Sequence, residues 1–116
     1  MTAIVIKLGK GELSISERYI DGIKLITITA PSYEVVREKI AELLSDAKPT
    51  IEIFHNIYGR TFVKGNIDEK DRDRIVMLTL AGNLPLKVLV DLARKYSKEK
   101  KVISIHTFTD TTHYII

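Results

Sequence analysis

The chain contains no cysteine, no tryptophan and no glutamine. Without thiols it has no disulfide, no thiolate nucleophile, no cysteine-ligated zinc and no iron–sulfur cluster. No apolar run approaches the ~20 residues that cross a bilayer. The opening Met1-Thr2-Ala3-Ile4 lacks the basic and apolar stretches of a secretory signal. A cytoplasmic protein with no membrane partner is therefore the expectation. Asparagine is scarce, with three residues, whereas Ile, Lys, Glu and Asp are abundant. That bias resembles thermophile proteins, which shed thermolabile side chains and gather surface ion pairs.

What is present is globular in composition. The 116 residues are 45% hydrophobic and 28% charged, which suits a single domain spanning residues 1–116. A formal charge of +3 is mildly basic, and by itself does not select a nucleic-acid or anionic partner.

Hydrophobic periodicity divides the chain into elements. Ala3–Leu8 is β-branched and apolar, Gly9-Lys10-Gly11 signals a turn, and Glu12–Glu17 alternates strictly. Residues 1–22 thus read as an N-terminal hairpin, closed by a turn at Asp21-Gly22. Ile23–Thr29 is the next strand. Ala30-Pro31-Ser32 stops it, with Ser32 in position to cap a helix whose apolar face is Val36, Ile40, Leu43, Leu44 and Ala47. Pro49 bars continuation.

Thr50–Tyr58 and Thr61–Val63 read as strands around Gly59. After the charged Ile67–Asp73, the nearly continuous apolar run Arg74–Leu80 predicts a strand buried on both faces. Asn83 can cap a second helix with Pro85 in its first turn and a stripe of Leu86, Leu89, Val90, Ala93 and Tyr96. Val102–Phe108 is the last main strand, and Thr112–Ile116 a short extended tail. The fold class expected is α+β: a ferredoxin-like βαββαβ antiparallel sheet over residues 23–116, in strand order fourth–first–third–second, with two helices on one face.

Two segments carry a family resemblance. One is the strand ending in TAPS at Thr29–Ser32; the other is IYGRTFVKGNIDEKDRDRIVMLT, Ile57–Thr79. With Tyr58, Phe62, Lys64, Gly65, Ile67, Asp68, Glu69 and Asp71 at matching positions, residues 23–115 resemble the CutA family, trimeric proteins named for divalent-cation tolerance and near the PII signalling proteins in fold. The resemblance implies a non-enzymatic homotrimer that senses or binds a divalent metal ion or small ligand. Its subunit interface would involve Tyr58, Phe62, Ile67 and Ile75. The family's cysteine is missing, so copper binding through cysteine is not carried over, and Lys98–Lys101 replaces a histidine-proline-tyrosine-glutamate segment.

The candidate metal ligands are His55, His106 and His113, since neutral imidazole is the commonest nitrogen ligand. In a ferredoxin-like strand order His55 and His106 sit on opposite edges, and meet only across a subunit boundary. Arg94, Lys95, Lys98 and Lys101 form a candidate phosphate cluster, the basis of an alternative reading as a nucleic-acid-binding domain. A helix end whose cations complement the dipole accounts for the same residues. The acids Asp68, Glu69, Asp71 and Asp73 alternate with bases and suit a solvated surface better than a calcium loop. Asp110, His113 and the threonines at 109, 111 and 112 contain pieces of a nucleophilic site without an oxyanion hole. Ala30-Pro31-Ser32 is not the phosphate loop of an acylphosphatase-like enzyme.

Overall fold

A computed structural model describes residues 2–8, 11–82, 84–107 and 109–116, without the side chains of residues 2–8, 11, 12 and 33. The elements in order are β1 (Thr2–Leu8), β2 (Gly11–Ile20), β3 (Ile23–Thr29), α1 (Tyr33–Leu44), β4 (Ile51–Asn56), β5 (Thr61–Gly65), α2 (Glu69–Leu80), α3 (Leu86–Tyr96), β6 (Lys101–His106) and β7 (Asp110–Ile115). The fold is α+β, an N-terminal hairpin followed by a βαββαβ-like core, as the periodicity predicts. The first-turn positions Gly9 and Lys10, the cap Asn83 and the strand-end Phe108 lie outside the described residues. Ser32 occupies the N-cap position of α1, but its side chain makes no capping hydrogen bond.

The spatial arrangement departs from the expected one. The strands form a single sheet in the order β1-β2-β3-β6-β7-β4-β5. β3 and β6 pair in parallel, Ile26 opposite Ile103, so the sheet is mixed rather than antiparallel. Nor do the helices share a face. Period-two alternation sends Ile26, Ile28, Ile103 and Ile105 to one side, where Val36 of α1 packs on them. Ile23, Leu25, Val102, Ile51 and Ile53 go to the other, under Ile75 of α2 and Val88, Leu89 and Leu92 of α3.

Two local readings are corrected with it. The expected strand Arg74–Leu80 is the second half of α2. Its apolar run is not buried all round: Met77 and Leu80 are exposed, while Ile75 and Thr79, four residues apart, face the core. The charged stretch before it begins the helix, with Asp68 at the N-cap and Glu69 and Asp71 in the first turn, where acids suit the dipole. The short tail is instead β7, a central strand paired on both sides, with β6 and with β4.

The first helix of this second pair is tied to the end of α3. Lys95 Nζ reaches Asp68 and Asp71 carboxylates at 2.8 Å each, and the Tyr96 hydroxyl donates to Asp71 at 2.5 Å. These bonds, Lys95 first and then Tyr96, hold both carboxyls below their ordinary pKa. Arg72 donates to the carbonyls of Val63 and Gly65 at 2.5 and 3.4 Å, joining α2 to the edge strand β5.

Candidate functional site

All three histidines of the chain line one cleft of about 180 Å³, together with Thr79, Leu84 and Thr111. Register explains the convergence. Thr111 of β7 lies opposite His106 of β6 on one side and His55 of β4 on the other. One step along the same face, His113 lies between Ser104 and Ile53. Strand β7 between β6 and β4 thus brings the histidines together within one chain, with no subunit boundary involved. A ferredoxin-like order would have put them apart.

Two turns hold this register. Asn56 Oδ1 accepts from the backbone N–H groups of Tyr58 and Arg60, both at 3.0 Å, and Gly59 takes a positive φ of 79° that favours glycine. This closes the β4–β5 turn and sets Thr61 opposite His55. At the other turn the Thr107 N–H donates to the Asp110 carbonyl at 2.8 Å, bringing Thr111 opposite His106.

The polar groups of the cleft are joined in two chains of hydrogen bonds. His55 Nδ1 is 3.1 Å from Thr61 Oγ1, which is 2.8 Å from Thr79 Oγ1. Thr79 Oγ1 donates to the α2 carbonyls of Ile75 and Val76, each 2.9 Å away. Separately, Ser104 Oγ and His113 Nδ1 are 2.7 Å apart. The His106 and His113 rings meet edge to face, 6.1 Å between centroids.

His113 is 6% exposed, and burial pushes its pKa down to about 4, with further lowering from His106 and His55. Burial also lowers His106. Both rings are therefore neutral at pH 7. No carboxylate lines the cleft among the described residues. Nor, among the described residues, is any group of three His, Asp or Glu side chains placed to hold a metal ion. The expected ligand trio is assembled as a cleft wall and does not close on one point. Ser104 beside His113 has the chemistry of a nucleophile–base pair, but it is 3% exposed in mid-strand and is not open to a substrate.

The other candidate residues are dispersed. Arg94 pairs with Asp21 at 3.5 Å, Lys95 with Asp68 and Asp71, and Lys101 Nζ donates to the Leu43 carbonyl at 3.1 Å. Only Lys98 of the proposed phosphate cluster is exposed without a partner among the described residues. Of the expected interface residues, Tyr58 and Phe62 are open at 82% and 63% exposure. Ile75 is completely buried in the chain's own core, which leaves it no surface for a subunit contact, and Ile67 is partly buried against that core. Phe62 belongs to a shallow depression of about 290 Å³ on the opposite sheet face, with Glu52, Phe54, Lys64, Thr112 and Tyr114.

Thr61, Thr79 and Ser104 are the site residues that the sequence did not single out, whereas Thr111 stood beside His113 there only as a piece of a nucleophilic site. The signal was period two: Ser104 precedes His106 and Thr111 precedes His113 by one same-face step. No helix among the described residues is long and apolar enough to cross a membrane. No protein-family model matches the chain, and no curated protein or solved structure matches it.

Proposed function

We propose that this chain is a non-enzymatic binding module whose ligand is a small molecule seated in the histidine cleft. The observation that carries the reading is the gathering of all three histidines, from three strands, around one cavity with Thr79 and Thr111. Convergent imidazoles and hydroxyls beside the apolar wall of Leu84 make the lining typical of a small-ligand pocket. A non-enzymatic role is supported by the buried position of Ser104 and the lack of a carboxylate behind His113 among the described residues.

Self-association is a second and separable part of the proposal. Phe62 and Tyr58 are exposed beside β5, an edge strand with an unpaired side. The CutA resemblance implies a homotrimer as the form of this assembly. The cleft is complete within one chain and does not need it.

A thermal-shift screen of small polar molecules, on the wild type and on His113→Gln, tests the binding reading. Compounds that raise the melting temperature of the wild type and not of the variant support it. A library without such a compound refutes it. Light scattering at micromolar concentration tests the assembly, and a monomer refutes that part alone.

A further inference from the structure

Resting on the cleft as a ligand site, we propose that it takes a small uncharged molecule offering both a hydrogen-bond acceptor and a hydrogen-bond donor, of the carboxamide or lactam type, because hydrogen bonding leaves Nε2 of His113 a donor and Nε2 of His55 an acceptor, and both rings line the cleft.

The role of His55 follows from the protons of the threonine relay. Thr79 Oγ1 stands 2.9 Å from two carbonyl oxygens, which only accept, so its one proton goes to Ile75 or Val76. It has none left for Thr61. The 2.8 Å contact between the two hydroxyls therefore uses the proton of Thr61. Thr61 Oγ1 can then only accept from His55, whose Nδ1 must carry hydrogen. A neutral imidazole has one N–H, so Nε2 of His55 is a bare lone pair.

Ser104 gives His113 the opposite role. Its hydroxyl is buried, and His113 Nδ1 at 2.7 Å is its one side-chain partner among the described residues. If Nδ1 held the proton, the serine hydrogen would be buried with no side-chain acceptor among the described residues, at the cost of a lost buried hydrogen bond. Ser104 therefore donates to Nδ1, and the proton of His113 sits on Nε2. The His106 ring has no hydrogen-bond partner among the described residues, and its tautomer follows the ligand. Leu84 supplies an apolar wall.

This pattern selects between ligand classes. A metal ion needs lone pairs, and His113 presents a proton whose relocation would strand Ser104. An anion would meet the lone pair of His55 with no cation lining the cleft to offset it, and burial beside two other imidazoles opposes protonation of His113. An amide meets the donor of His113 with its carbonyl and the acceptor of His55 with its N–H. The volume of about 180 Å³ equals that of about six waters, room for a five-membered lactam.

Long-range ¹H–¹⁵N correlation spectra at neutral pH read the tautomers directly. The expected result is Nδ1–H on His55 and Nε2–H on His113; the reverse at either ring overturns the proposal. The probes are 2-pyrrolidinone, acetate and Zn²⁺, titrated separately at equal millimolar concentration. Saturable shifts of the His55 and His113 signals are expected with 2-pyrrolidinone alone. Thr79→Val, which cuts the relay, should weaken that binding about tenfold; Ser104→Ala, which frees His113, serves if the first variant does not fold. Unchanged affinity in the folded variant overturns the proposal. Binding of acetate or Zn²⁺ in place of the lactam overturns the ligand class and leaves the cleft a binding site. No saturable shift with any probe overturns the cleft reading too.

Discussion

Acidification should destabilise this protein well before its carboxylates titrate, and His113 is the reason. Burial and its two neighbouring imidazoles, His106 and His55, take its pKa from an ordinary 6.5 to about 4. In the unfolded chain the ring is in water and binds a proton near pH 6.5. Above that pH neither state is charged at this residue, and the stability it permits is fully present. As pH falls below 6.5 the unfolded state gains a proton that the folded state refuses, and stability is lost until the folded pKa is reached near 4. At ~1.4 kcal/mol per decade of proton affinity, the drop amounts to ~3 kcal/mol. That is a substantial part of the ~5–15 kcal/mol that holds a domain together. With a urea m-value of ~1–3 kcal/mol/M, the unfolding midpoint should fall by ~1–3 M between pH 7 and pH 4.

The window is separate from that of the acids. Asp68 and Asp71 have lowered pKa values, so their contribution is present above 3.8 and is lost only as pH falls through lower values. The assay is urea denaturation followed by circular dichroism at half-unit pH steps, on the wild type and His113→Gln. The variant should start less stable at pH 7, since Ser104 loses its partner, but should show a much flatter profile below 6.5. The residual slope belongs to His106, whose pKa is also lowered. A wild-type midpoint that does not move between pH 7 and pH 4.5, or a variant with the full wild-type slope, refutes the reasoning.

Three further outcomes are expected. Gly65→Ala should cost ~3 kcal/mol or prevent folding, measured by thermal denaturation, since φ is +129° and a Cβ would stand 2.3 Å from the Thr50 carbonyl oxygen. Arg72→Ala should remove ~2 kcal/mol in urea denaturation and raise amide exchange along β5, because its guanidinium holds two carbonyls of that strand. Unchanged exchange in β5 would show that the strand does not depend on it. Phe62→Asp should lower the melting temperature by a few degrees, since it removes the ring that meets Phe54 at 6.3 Å between centroids, and shift the protein to a monomer in light scattering. An oligomer that survives this substitution uses another surface.

Much of the local structure was legible. Strand Ile23–Thr29 has the bounds that alternation predicts, and helix Leu86–Tyr96 carries the predicted apolar stripe, although Pro85 stands at its N-cap rather than in its first turn. The misread segment, Arg74–Leu80, is a case where periodicity fails: six successive apolar or threonine residues fit a buried strand and a helix equally. The acids at Asp68, Glu69 and Asp71 were the better guide, since they belong at a helix start. β7 was undervalued because threonine and histidine fill it, although both sit comfortably on a pleated surface that lines a polar cleft.

The three histidines were conspicuous from the start, and their chemistry as neutral imidazoles near pH 7 is a property of the residue type. Their shared location was not. Sequence separation says nothing about which strands are neighbours, and the expected strand order kept His55 and His106 apart. Pairing β7 between β6 and β4 put them on either side of Thr111. The proton positions depend on structure still more closely, because Thr61, Thr79 and Ser104 act only at hydrogen-bond distance. Elements follow from local periodicity, which a linear sequence contains. The cleft follows from non-local pairing, which is selected by how both sheet faces are buried at once.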